Sequence, residues 1–363
     1  MAPEDLASEA DDASEAPVPA IIEVDPPERV HSVASGAATL MTWEYGSTRA
    51  GLASLYERAK SNQWNGRTDL PWETEVDQES VVRANADRVG GLALDLDVTG
   101  TPAERWGDPE WLRFGVESQN WTMSQFLHGE QGALVCAAKI VESVPWIDAK
   151  YYAATQVMDE ARHVEVFSRY LDTKLSGRYP VNAQLQMLLD DVIADSRWDL
   201  TYLGMQVMLE GLGLAAFALI QEQTTEPLLR RLLDYVIADE ARHMAFGVIS
   251  LRDVYADLSE PEIRDRQEFA FESVLGIRDR ILQQEVWERM GVPARVAVPL
   301  VRQSPEHHAL NAKLFARIVP ACSTIGLLDA GDGWLRRRFD ELGVLQYERP
   351  NDEMAATSGA CGP

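Results

Sequence analysis

A chain of 363 residues and 40.4 kDa is long enough for one large domain with a sizeable core, since a chain of that length buries about three quarters of its unfolded surface. Hydrophobic residues at 46% and charged residues at 25% exclude wholesale disorder and a fibrous repeat. A formal charge of -25, from 58 acidic against 33 basic side chains, sets aside nucleic acid and anionic membrane surfaces as partners.

In chain order, residues 1–30 read as an acidic tail: the first 28 carry nine Asp and Glu, no Lys or Arg, and much Ala, Ser and Pro. Residues 31–345 are expected to be a single helical domain and 346–363 a second tail. Apolar residues recur at three- and four-residue spacings, so the chain is expected to be all-α. Residues 30–105, with Trp43, Trp64 and Trp72, give no clear element. Long helices are predicted over 108–143, 147–176, 182–223, 227–257 and 262–290, bounded by Pro145, Pro180, Pro227 and Pro261. Ser259 and Glu262 form a capping-box pattern at the last of these. Short breaks at Pro145 and Pro227 imply antiparallel neighbours and a helical bundle, with a metal-binding core at about 108–257. No apolar run approaches the roughly 18 residues of a membrane span and no basic-then-apolar leader opens the chain. Cys136, Cys322 and Cys361 are too scattered for a disulfide framework or a CxxC site. A cytoplasmic, reducing compartment is therefore expected.

The pentapeptide Asp-Glu-Ala-Arg-His occurs twice, at 159–163 and 239–243, 80 residues apart. Three residues is nearly one helical turn, so Glu160 and His163 share a face, as do Glu240 and His243. Thirty residues before each of Glu160 and Glu240 stands another glutamate, Glu130 and Glu210, in an apolar helical stretch where an unpaired carboxylate is costly to bury. Four glutamates and two histidines make a pseudo-symmetric cage. Its carboxylate and imidazole donors suit a pair of iron or manganese ions better than zinc or copper. A structural salt-bridge reading suits one such motif; two identical copies with matched upstream glutamates disfavour it.

On these residues the sequence resembles the ferritin-like diiron-carboxylate oxygenase superfamily over about 110–250, roughly a third of the chain. Its pentapeptides look most like those of bacterial multicomponent monooxygenase hydroxylase subunits and next like those of acyl-carrier-protein desaturases. The resemblance implies a four-helix bundle core with flanking helices, in which Glu130, Glu160, His163, Glu210, Glu240 and His243 hold two iron ions (Fe/Fe or Mn/Fe) with O2 as co-substrate. It also implies that Asp159 and Asp239 accept a hydrogen bond from the non-ligating nitrogen of a metal-bound histidine, with Arg162 and Arg242 paired to them. The implied activity is hydroxylation or a related oxidation of a small organic substrate. The alternatives are acyl desaturation, iron oxidation without organic substrate, and a radical-generating subunit.

Departures from the family patterns discriminate further. Phe167 stands where a radical subunit would carry its tyrosine, with Tyr170 nearby. Val236 stands where the arylamine N-oxygenases show an extra histidine, which makes N-oxygenation less favoured. Gly132 and Met205 are not the valine and tyrosine that mark the cross-linked ligand-binding oxidases. Leu214 replaces the threonine typical of the hydroxylases, so proton delivery is expected through Gln206 or water. Superposing the two halves pairs side chains of unequal size, as an enzyme with a substrate beside one side of its metals would. The expected pocket residues are Phe126, Ala133, Gln156, Phe167, Gln206, Gly213, Val236 and Gly247.

No nucleotide fingerprint or iron-sulfur cysteine spacing is present, so an external reductase or ferredoxin is implied as electron donor. A homodimer is expected. His128, two positions before Glu130, His307 and His308 are read as satisfied or surface histidines. Trp106, Trp111, Trp121 and Trp146 are read as packing, and Glu285 as solvated.

Overall fold

The computed structural model describes residues 30–348, Ile281 apart. Of the expected tails at 1–30 and 346–363, residues 1–29 and 349–363, with Cys361, lie outside the described residues. Everything below concerns residues 35–348, which form one compact unit. It is built of helices, with no strand among the described residues.

Two helices precede the bundle, α1 (Ala50–Ser61) and α2 (Gln78–Val89). The bundle begins with α3 (Asp108–Ser143), whose first turn is locked by Pro109 and by Glu110 accepting a hydrogen bond from the Gly107 backbone N–H at 2.9 Å. A three-residue break containing Pro145 reverses the chain into α4 (Ile147–Lys174). The two long helices then pack along each other, as the proline spacing predicts.

The expected 182–223 helix is instead broken. It runs as α5 (Ala183–Ala194), then α6 (Trp198–Tyr202), a π-helical stretch Leu203–Leu209 and α7 (Glu210–Gln223) without interruption. The break at 195–197 has two causes, one on α3 and one in the break itself. The Lys139 ammonium of α3 donates to the carbonyls of Val192 (3.0 Å) and Ile193 (2.8 Å), satisfying the orphan end of α5. The Asp195 carboxylate accepts from the Arg197 backbone N–H at 2.8 Å and turns the chain.

The fourth bundle helix is α8 (Pro227–Tyr255), capped by Glu226, whose carboxylate accepts from the N–H groups of Leu228 and Leu229, both at 2.6 Å. Beyond it lie α9 (Glu260–Arg280), α10 (Gln284–Arg289), α11 (Ala294–Gln303), α12 (Pro305–Thr324) and α13 (Trp334–Glu341). Glu262 reaches back to the Ser259 N–H (2.9 Å), as the capping pattern predicts. The expected 262–290 helix breaks before α10 at Gln283, whose φ of 51° makes it the one non-glycine residue with positive φ among those described. Packed structure continues past 345, since Arg336 donates to Glu348 at 2.7 Å.

The segment Trp198–Gln223 corrects the reading of hydropathy. It is long and apolar enough to cross a membrane by length and composition, and 72% of that window is buried inside the protein, as the central helix of a bundle would be. Aromatic packing holds both ends of the bundle. Trp106, Trp111, Phe114 and Trp287 form one cluster, while Trp146 packs edge-on against Trp198 at 5.1 Å.

Candidate metal centre

Helical spacing delivers the repeated motifs to a single place. Glu130 comes from α3, Glu160 and His163 from α4, Glu210 from the first position after the π-helical stretch, and Glu240 and His243 from α8. All six are buried, His163, His243 and Glu160 completely. His163 Nδ1 lies 3.1 Å from Glu130 Oε2, 3.2 Å from Glu240 Oε1 and 3.3 Å from Glu160 Oε2. His243 Nδ1 lies 3.0 Å from Glu160 Oε1 and 3.5 Å from Glu240 Oε2. Two clusters of ligand-type atoms result, Glu130, Glu160, His163, Glu240 and Glu160, Glu210, His243, and they share Glu160.

The donor set fits a pair of divalent ions. Glu210 Oε2 is buried without a hydrogen-bond partner, and Glu160 Oε2, Glu240 Oε1 and His243 Nδ1 have only the charged contacts just given, without hydrogen-bond geometry, a costly arrangement for a protein alone and the normal one for metal ligands. Burial and the neighbouring Glu240 push the Glu130 carboxyl well above its ordinary range; burial, with Glu240, Glu160 and Glu130, does the same to Glu210. Gln156 steadies the cage, donating from Nε2 to Glu210 Oε1 (2.6 Å) and Glu160 Oε1 (3.1 Å).

Behind the histidines lies a charge quartet. His163 Nε2 meets Asp239 Oδ2 at 3.2 Å and His243 Nε2 meets Asp159 Oδ2 at 3.3 Å, so each aspartate serves the histidine of the other pentapeptide. Arg162 pairs with Asp159 and reaches Asp239 at 3.2 Å; Arg242 pairs with Asp239 and reaches Asp159 at 3.6 Å. Two carboxylates and two guanidiniums cancel in charge, which allows all four to be buried. With each Nε2 facing a carboxylate, a proton is fixed there, and Nδ1, which faces the glutamates, is the nitrogen that would turn to a metal ion once its own proton leaves. Burial alone would lower the His163 pKa, but Asp239 and three glutamates hold it well above the ordinary value.

The segment after α1 closes this quartet. Trp64 Nε1 donates to Asp239 Oδ2 at 2.8 Å, Gln63 Nε2 donates to Asp159 Oδ1 at 3.1 Å, and Arg162 Nη1 donates to Gln63 Oε1 at 2.9 Å. Sequence reasoning missed both residues. Trp64 lies in a stretch without periodicity, and only its being a tryptophan there could have marked it.

A cavity of about 300 Å³ opens beside Glu130, Glu210 and Glu240. Of the eight expected pocket residues, Phe126, Ala133 and Gly213 line it. The other five do not. Gln156 is spent on the glutamates, and Phe167 stacks behind Phe126 and Phe217 with ring centroids at 5.9 and 5.7 Å. Val236 is buried in an apolar cluster with Trp64 and Phe167. Gln206 is wholly buried in the π-helical stretch against Gly247, where an added Cβ would come within 2.5 Å of Gln206 Cβ. Gly247 thus serves close packing rather than substrate volume.

Other expectations resolve simply. His128 is satisfied by the Tyr179 carbonyl at 3.0 Å, and Trp106 and Trp111 pack as expected. His307 is buried beside Asn311 rather than on the surface. Glu285 is no solvated bystander, since it accepts from Trp121 Nε1 (3.0 Å) and Asn182 Nδ2 (2.6 Å). Tyr170 donates to Glu226 at 3.1 Å.

The family model of the p-aminobenzoate N-oxygenase AurF matches residues 138–326, more than half of the chain. No curated protein matches. Among solved structures, an R2-like ligand-binding oxidase with an aerobically reconstituted Mn/Fe cofactor superposes with a TM-score of 0.50 at 16% identity, covering 78% of this chain and 94% of that one. A mutant R2-like ligand-binding oxidase with an anaerobically reconstituted Mn/Fe cofactor gives a TM-score of 0.51 at 17% identity, covering 76% and 93%. At such identities the likeness is one of fold, the ferritin-like helical architecture expected for this chain.

Proposed function

Because the chain belongs to the p-aminobenzoate N-oxygenase AurF family, we propose that it is an O2-dependent oxygenase of the diiron type acting on a small organic substrate held in the cavity beside Glu130, Glu210 and Glu240. The observation that carries the reading is the convergence of six buried donors in two clusters sharing Glu160 at the inner end of that cavity. Family membership brings N-oxygenation forward from the place Val236 gave it. Val236 supplies no ligand, so the six residues are the whole protein donor set of the proposal.

Glu130, Glu160, His163 and Glu240 would hold one ion, and Glu160, Glu210 and His243 the other, as Fe/Fe or Mn/Fe. Such a pair supplies the reduction of dioxygen and the oxidising power for the substrate. The protein's own groups do the rest. Asp239 and Asp159 hold the proton on Nε2 of His163 and His243, Gln156 fixes one oxygen each of Glu160 and Glu210, and Phe126 and Phe217 keep water from the reacting end. Gln206 is wholly buried against Gly247 and does not line the cavity, so the proposal gives it no part in proton delivery. A cavity on this scale has no use in iron storage, which disfavours the reading without organic substrate.

One oxygen atom enters the substrate and the other leaves as water, so each turnover needs two electrons from a reductase or ferredoxin. Cys136 and Cys322 are buried, and burial pushes their thiols up to about 12; a reducing compartment such as the cytoplasm is part of the proposal. Exposed Tyr151 and Met158, seven apart on α4, offer one apolar face for a second copy. The test is oxygen uptake by ferrous-loaded protein with a chemical reductant and a panel of aryl amines. Uptake matched by oxygenated product supports the proposal; uptake that ends in ferric iron alone contradicts it.

A further inference from the structure

The cavity is chemically graded along its length, and the grading bears on which molecules can enter. It follows α7 from Glu210 to Gln223, thirteen residues or about 20 Å of helix, and α3 from Glu130 back to Thr122, about 12 Å. The inner end is formed by Glu130, Glu210 and Glu240, the middle by Phe126, Phe217 and Ile220, and the outer end by Thr122, Gln283 and the exposed Gln223.

Charge along this path disfavours an anion throughout. No Lys, Arg or His is among the described residues that line the cavity. At the inner end four glutamates balance two divalent ions, leaving no net positive charge. At the outer end the polar groups are neutral and partly spent: Ser118 Oγ donates to Gln283 Oε1 at 2.7 Å, and Gln283 Nε2 donates to Thr122 Oγ1 at 3.3 Å. Arg88 reaches the backbone carbonyl of Gln223 at 3.4 Å from outside the lining. A carboxylate on the substrate would be desolvated against phenyl and aliphatic walls with no cation to meet it.

We propose that the substrate of this chain is an uncharged, elongated and largely apolar molecule that enters reacting group first past Thr122 and Gln223, and that a free carboxylate such as that of p-aminobenzoate is selected against. The inference rests on the oxygenase reading for the site but not on its chemistry, because the grading also disfavours anions when the glutamates stand without metal.

The test compares two molecules of nearly one shape, 4-aminobenzamide and 4-aminobenzoate, by calorimetric titration of the full-length protein. Both are measured anaerobically with ferrous ions loaded and again metal-free, with metal content read on the same samples. The amide is expected to bind at least about tenfold more tightly than the acid in both forms. Gln223→Arg, on the exposed rim, is expected to narrow that gap, and 4-propylaniline to bind more tightly than aniline. Gly129→Leu is expected to abolish binding, since an added Cβ at this lining position meets nothing within 4 Å and the longer side chain would fill the cavity. Acid binding equal to or tighter than the amide overturns the proposal, as does acid binding that disappears in Arg88→Ala. Failure of both molecules to bind also overturns it. Loss of the metal site shows separately in the metal content and leaves the amide-to-acid ordering to be read in the metal-free form.

Discussion

Asp159 and Asp239 each lie next to a proposed ligand in sequence yet steady the histidine of the opposite half. That crossing ties the two pentapeptides into one unit, because Arg162 and Arg242 each touch both aspartates. Asp239→Asn keeps the shape but removes the charge facing His163 Nε2, and it is expected to weaken metal binding about 10–100-fold with the helical content intact. Chelator competition followed beside circular dichroism measures it; a change below about twofold would contradict the role given to Asp239. Trp64→Phe removes the hydrogen bond to the same carboxylate and is expected to cost about 1–3 kcal/mol, read by denaturant unfolding. At this scale the convergence of the six proposed ligands was legible because a three-residue spacing on a helix is geometric, and so was the pairing of the aspartates with the arginines. Which aspartate meets which histidine was not, since it depends on how α4 and α8 face each other. Trp64 and Gln63 were invisible because a loop residue brought in by tertiary packing leaves no periodic trace.

The elements show why some boundaries could be read and others could not. Proline and capping signals placed both ends of α3 and the starts of α4 and α8 well, because those signals act locally. The division of 182–223 depends on the Asp195–Arg197 turn and on Lys139, 53 and 54 residues before the carbonyls it meets, so a window along that segment contains the turn but not the lysine. Lys139→Met is expected to leave the carbonyls of Val192 and Ile193 unsatisfied and to destabilise the protein by about 1–3 kcal/mol, measured as a lowered Tm. The π-helical stretch Leu203–Leu209 was likewise unforeseen. Its wider turn ends at Glu210, and such turns recur at functional sites. Gly247 of α8 packs against it, and a Cβ there would strike Gln206 Cβ, which cannot swing away as a side-chain tip could. Gly247→Ala is therefore expected to cost about 1–3 kcal/mol and to lower metal occupancy by displacing Glu210. Unchanged stability and occupancy would dissociate the stretch from the site.

For the molecule as a whole, the expected four-helix bundle holds, while its surroundings do more than flank it. The segment after α1 seals the charge quartet from one side, and residues on α3, α7 and α12 with Gln283 enclose the cavity on another. Superposing the two halves reveals asymmetry near the six proposed ligands but not the helices that wall a cavity. That is why Phe126, Ala133 and Gly213 were placed well while Gln156, Phe167, Gln206, Val236 and Gly247 were not. On the proposed reading, in which electrons come from an external donor, the protein is expected to form about one product per two ferrous ions in a single aerobic turnover and to continue only when a reductase or chemical donor is added. The metal pair itself is the most direct point of test. Plasma mass spectrometry of anaerobically ferrous-loaded protein, beside a Glu130→Ala, Glu210→Ala double variant that keeps its helical content, is predicted to give about two metals per chain in the parent and fewer than one in the variant. A loaded parent without metal, or a variant that keeps both ions, would contradict it.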